Sequence, residues 1–178
     1  LNSNSFEEKK ETDFPYYIKL LLANDTKKAY QELRNVSPCY KGLENEAVQI
    51  AYNFADFGAF AKALEWSKCG VDVPVEKRME WYFETNQLKE LKKVYKEHLS
   101  KNPKDYKIKN HMATLMLYSS DVLGAAEIVM GMPLNKVDSN ILKAIDREVK
   151  EMDLKQQTTF YKLYIELLEP STTKEIVS

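Results

Sequence analysis

Apolar residues recur along most of this chain at spacings of three and four, the period of a helix that buries one face. Asp13 is a plausible helix cap with Pro15 just inside the first turn, and FPYYIKLLLAN behind it reads as a short helix. Asn24-Asp25 is a turn. TKKAYQELRNV then sets Ala29, Leu33 and Val36 on one face, and Ser37-Pro38 ends it, since Pro cannot continue a helix. A helix over 44–57 carries Ala47, Ile50, Ala51 and Phe54. Gly58 breaks it, and Phe60, Ala63, Leu64, Ser67 and Val71 carry the pattern on to Pro74. Further pairs fall at 75–85 and 87–101, at 105–118 and 121–130, and at 138–151 and 153–169. No stretch shows the sustained alternation of a strand. The predicted class is all-α, with about five antiparallel helix pairs over 13–170, a flexible leader over 1–12 and a tail over 171–178.

Composition narrows this picture without redirecting it. A chain of 178 residues is one domain or one segment of a repeat array. Eleven Tyr, seven Phe and two Trp supply core material, while five Gly and six Pro are too few for a turn-rich β fold. A net charge of −1 creates no overall field for nucleic acid or a membrane. No apolar run approaches the ~18 residues of a membrane span. Cys39 and Cys69, 30 residues apart, form no C-x-x-C or zinc pattern. They read as two small buried residues, with a disulfide left open. The first residue is Leu, which fits a processed chain or a piece of a longer one and leaves the compartment open. Asn24-Asp25-Thr26 and Asn35-Val36-Ser37 match a glycosylation acceptor pattern at about the frequency chance allows.

The turns inside the pairs, aligned at Asn24, Gly58, Asn86, Ser120 and Met152, are separated by 34, 28, 34 and 32 residues. Gly58–Pro74, GAFAKALEWSKCGVDVP, puts Gly58 in the turn, the aromatic Phe60 behind it, the small Ala63 where two helices touch, and a closing Pro74. This stretch resembles the second helix of a tetratricopeptide (TPR) hairpin, whose period is about 34 residues. Asn86–Pro103 keeps Leu88, Tyr95 and Pro103 but has Leu91 where Ala is usual. Ala113 and Ala125 hold the two close-contact positions of the next pair, and Ala29 holds one in the first. The likeness covers roughly 13–169, with degenerate repeats.

The resemblance implies a right-handed α-α superhelix, a TPR-like solenoid, whose first helices line a concave groove. By position the lining is Asn45, Val48, Tyr52 and Asp56 in the second pair, and Glu76, Glu80, Phe83 and Glu84 in the third. In the fourth it is Lys107, Asn110, Thr114, Leu117 and Tyr118. Tyr52, Asp56, Glu76, Glu80, Phe83, Lys107, Asn110, Thr114 and Tyr118 are the candidate partner-binding residues. They would face an extended peptide or a helix of another protein. The TPR subclass that grips a terminal carboxylate with Lys, Asn and Arg is argued against by Val48 and Tyr52 in the first two of those positions, because neither supplies a charge-assisted donor.

Other chemistry is thin. Residues 86–110 hold eight Lys against three acidic residues but no Arg, so this run reads as a solvated face more readily than as a nucleic-acid site. His98 and His111 are the only histidines, on different helices, and no hydrolase, P-loop or dinucleotide motif is present. Glu76, Glu80 and Glu84 form an acidic row that repels itself. No cofactor, metal site or catalytic residue is expected. Trp66, Trp81 and Tyr82 read as core. Phe160 to Leu168 hold seven large apolar residues, more than one stripe needs, so the last helix either caps the array by burying on two sides or, the preferred reading, docks on a partner or on further repeats. The sequence thus points to a non-enzymatic scaffold for protein–protein interaction. The alternatives are an accessory or regulatory domain of a larger enzyme or secretion assembly, and a nucleic-acid binder using the 86–110 face.

Overall fold

The computed structural model describes residues 3–163, and every regular element among them is helical. In order these are α1 (Ser3–Thr12), α2 (Phe14–Asn24), α3 (Thr26–Leu33), α4 (Ala47–Asp56), α5 (Phe60–Trp66), α6 (Val75–Glu84) and α7 (Leu88–Lys101). Then follow α8 (Tyr106–Tyr118), α9 (Val122–Met130) and α10 (Ser139–Glu151). Short 3-10 turns lie at Glu44–Glu46 and Leu134–Lys136, and residues 154–163 are helical. The chain divides into two compact units, Leu1–Val94 and Tyr95–Ser178.

Three of the five intra-pair turns share one backbone geometry. Gly58, Asn86 and Ser120 all take left-handed φ values, +77, +56 and +60. At each, two N–H groups donate back into the helix just ended. Ala59 reaches the carbonyl of Phe54 and Gly58 that of Ala55; Gln87 reaches Tyr82 and Asn86 reaches Phe83; Asp121 reaches Met116 and Ser120 reaches Leu117. All six bonds are 2.8–3.0 Å. This is the paired 6→1 and 5→2 pattern that satisfies orphan carbonyls at a helix end. The other two turns are made by capping aspartates. Asp25 ends α2 and accepts from the Lys28 N–H, and Asp153 and Gln156 bond reciprocally as a capping box. Asp13, Asp105, Asp121 and Asp138 likewise cap α2, α8, α9 and α10.

In the first unit the core is built from Tyr17, Ile18, Leu33, Leu43, Ile50, Phe54, Trp66 and Met79, all fully or almost fully enclosed. Trp81 and Tyr82 are buried as expected. Asn53, buried on α4, donates to the Thr26 carbonyl at the start of α3 (3.0 Å). In the second unit α8 packs on α9, and α10 packs on both. Ile108, Met112, Ala113, Ala125, Ile141 and Val149 are buried there.

The structure corrects the sequence reading at several points. The leader is helical from Ser3 as α1, which packs on α2; Lys10 bridges to Glu32 of α3 (3.1 Å) and lies over the ring of Tyr17 (6.0 Å). Burial, followed by the neighbouring Glu32 charge, pushes the Tyr17 phenol up to about 12. The helix expected to run on toward Pro74 stops at Trp66. The Ser67 hydroxyl bonds back to the Leu64 carbonyl, and Gly70 turns left-handed at φ +74. Cys39 is not buried: it is exposed, and it forms a disulfide with Cys69 (S–S 2.05 Å). The helix expected over 153–169 is seen over 154–163, and its remainder and the tail lie outside the described residues.

Asp105 links two elements of the second unit. One carboxylate oxygen caps α8 through the Ile108 N–H (3.2 Å), and the other meets His98 Nε2 at 2.7 Å. Burial pushes this carboxyl up, but the bonds from His98 and Ile108 and the charges of His98 and Lys107 outweigh it, leaving Asp105 below the usual carboxylate range.

Two predictions follow from these geometries. Ser120→Gly should stabilise the chain and Gly58→Ala should destabilise it, each by about 1 kcal/mol, because only the backbone conformation changes in cost. Beyond its chain neighbours no atom lies within 4 Å of a Cβ placed on Gly58, so a clash cannot mimic the effect. Urea midpoints at constant m-value would read the two opposite signs. For Asp105 the folded-state value is depressed, so its stabilisation is complete above the unfolded value near 4 and is lost as pH falls through the folded value. Asp105→Ala should therefore cost about 1 kcal/mol at neutral pH, and unfolding curves of variant and parent should converge on acidification.

Candidate functional site

The nine candidate residues divide between the two units. In the first, Tyr52 projects from α4 and meets Trp81 of α6 edge-on, with ring centroids 5.8 Å apart. It is half-buried, so part of its ring belongs to the core. Asp56 is exposed at the last position of α4. Glu76 and Glu80 lie one turn apart on α6 and are half-buried, and Lys77 bonds to Glu80 at 3.3 Å. The cation offsets the like-charge repulsion expected of that row. Phe83, also on α6, is half-buried.

In the second unit all four residues lie on α8, and they behave differently from one another. Lys107 is exposed. Asn110 is a clasp: its amide donates to the carbonyls of Tyr106 (3.0 Å) and Lys136 (2.9 Å), and its oxygen accepts from the Asp138 N–H (2.9 Å). It therefore ties α8 to the loop that leads into α10. The Thr114 hydroxyl donates to the Asn110 carbonyl on its own helix (3.0 Å). Tyr118 is 72% exposed at the last turn of α8. Of the four, Tyr118 and Lys107 are exposed.

A feature the sequence reading did not single out lies in the second unit. Helices α9 and α10 and residues 154–163 enclose an apolar cleft of about 260 Å³. Its walls are Ala126, Val129 and Met130 of α9, Leu142, Ile145 and Val149 of α10, and Phe160 and Tyr161. Beneath it Val122, Ala126, Val149 and Phe160 form a buried cluster with Leu123, Ile145 and Met152 against it. At the rim Asp146 pairs with Lys150 (2.8 Å), and this bond and charge hold the Lys150 ammonium above its usual range. Two signals in the chain mark the cleft. Seven of the nine residues of α9, VLGAAEIVM, are apolar, more than a helix with one buried face needs. On α10, Ile141, Ile145 and Val149 recur every fourth residue, with Leu142 beside them.

The remaining sequence candidates fall out simply. Lys89, Lys92, Lys93 and Lys96 of α7 are exposed. Burial pushes the Tyr95 phenol up to about 12. His98 is held by Asp105 as described. No helix among the described residues is long and apolar enough to cross a membrane.

The fold and this surface define a protein of helical hairpins with one recurring turn and an apolar cleft. Comparison with family models, with curated proteins and with solved structures finds no significant match.

The clasp predicts a division of labour along α8. Asn110→Ala should destabilise the second unit by about 1–3 kcal/mol, since it strips partners from the backbone of the Lys136–Asp138 loop. Tyr118→Ala should stay within about 0.5 kcal/mol of the parent, as a change at an exposed side chain. Thermal unfolding followed by circular dichroism would separate the two.

Proposed function

We propose that this chain is a non-enzymatic protein-binding scaffold of the TPR-like class, its helix pairs stacked as a right-handed superhelix. In this reading it takes an apolar helix or peptide from another protein. The observation that carries the reading is the cleft between α9, α10 and residues 154–163, whose walls are almost wholly aliphatic and aromatic. Such a groove suits a ligand helix that offers large apolar side chains one turn apart. The Asp146–Lys150 pair at its rim supplies both signs of charge to orient that helix. Exposed Tyr118 and Lys107 of the second unit would add contacts to a partner, and in the first unit exposed Asp56 and part-exposed Tyr52, Phe83, Glu76 and Glu80 would be contacts of their own. Recurrence of one turn geometry at Gly58, Asn86 and Ser120 supports the repeat reading on which the groove assignment rests.

Panning the purified chain against a library of displayed helical peptides tests this. Enriched peptides should carry two large apolar residues one helical turn apart. Their affinity should fall at least about tenfold, or ~1.4 kcal/mol, on Leu142→Asp. If affinity is instead lost on Tyr52→Ala combined with Tyr118→Ala, the first-helix groove carries recognition and not the cleft. Failure to enrich any peptide, or ligands indifferent to all three substitutions, would overturn the proposal.

A further inference from the structure

Both cysteines sit in loops between helix pairs. Cys39 lies in the connection from α3 to α4 and Cys69 in the connection from α5 to α6, with Cα atoms 5.3 Å apart. Each loop is anchored independently of the bridge. In the first, Leu43 is fully buried, the Gly42 N–H bonds to the Glu44 carboxylate (2.9 Å), and Tyr40 packs edge-on against Phe14 of α2 (5.6 Å). A Cβ on Gly42 would come within 2.7 Å of the Pro15 side chain, so that loop is pressed against α2. In the second, Val73 is buried. The backbone is left-handed at Cys39 itself (φ +62) and at Gly70 beside Cys69 (φ +74). These contacts would hold the two thiols together in the reduced chain as well.

We propose that this chain takes its working form in an oxidising compartment, and that Cys39 is the sulfur through which a thiol–disulfide oxidoreductase closes the bridge. Cys39 is exposed, so a bulk thiol such as glutathione can reach it, and in a reducing compartment a bridge so placed does not persist. Cys69 is half-buried, with its sulfur 3.9 Å from the Glu65 carbonyl at the end of α5. An enzyme's disulfide therefore approaches from the Cys39 side. The Cys39 thiolate attacks one sulfur of that disulfide, breaks it and displaces the other as a thiolate, leaving a mixed disulfide. The Cys69 thiolate then attacks the Cys39 sulfur, forms the Cys39–Cys69 bond and expels the enzyme's first sulfur. Two electrons and two protons pass from the chain to the oxidoreductase, which leaves as a dithiol.

The inference is tested on the full chain as its own cells make it. Thiols are alkylated at lysis and the peptides carrying Cys39 and Cys69 are weighed. The expected result is that neither carries the alkyl group until the protein is reduced; alkylation of both before reduction would overturn the compartment. Entry through Cys39 is read on wild-type protein that has been reduced and then given limiting oxidised glutathione, quenched at early times. Mixed disulfide should appear at Cys39 several-fold faster than at Cys69, and equal or reversed rates would overturn that assignment. Circular dichroism of the reduced protein serves as the control: retained helix with a lowered Tm is expected from the independent anchors, and wholesale loss of helix would show that they do not hold the loops.

Discussion

A single residue with left-handed backbone, placed between two helices, is the constraint on which the packing of the pairs depends. At Gly58, Asn86 and Ser120 it lets two N–H groups cap the outgoing helix and starts the next one within two residues. The offset between turn and helix is then fixed, so counting from the turn says which side chain faces inward. Five residues past each turn stand Ala63, Leu91 and Ala125, all 0% exposed. Seven residues before stand Ala51, Met79 and Ala113, equally enclosed. Where both positions are Ala, in α4 with α5 and in α8 with α9, the backbones pack most closely. Where they are Met79 and Leu91, between α6 and α7, the approach is looser, as side-chain volume at a helix contact requires.

That arithmetic explains why so much of the helical pattern could be read from the chain. The helices over 75–85, 105–118, 121–130 and 138–151 fall within a residue of the observed ends, because each is bounded by an aspartate cap, a turn residue or a proline that has a local physical effect. The burial of Trp66, Trp81 and Tyr82 was legible for the same reason. Periodicity told which face each side chain occupies.

What was illegible depends on contacts between residues distant in sequence, or on polarity that misleads. α1 is polar, with half of its residues charged, and SNSFEEKKET has no apolar stripe to announce a helix; Asp13 donates its N–H to the Lys9 carbonyl, and Lys10 and Glu7 find Glu32 and Lys28 on α3. α5 ends early although Val71 keeps the helical spacing. The chain there answers to Gly70 and to a cross-link with a residue 30 positions earlier. A pair of cysteines without a motif does not declare its bond, because pairing is a statement about loop geometry. The cleft was hidden differently. Its apolar residues were visible in α9 and α10, but periodicity cannot tell a face that is covered from one that is left open.

The candidate residues show the limit of carrying a role over by position. Asn110 sits where a groove residue would sit, yet backbone groups at Lys136 and Asp138 have claimed its amide. A half-buried amide beside a loop is drawn first to orphan donors and acceptors of the main chain, since leaving those unmet costs more than a solvent-exposed contact returns. Thr114 follows the same rule within its helix. Tyr118 and Asp56, by contrast, are exposed. The Asn110 amide and the Thr114 hydroxyl are thus committed to the fold of the second unit.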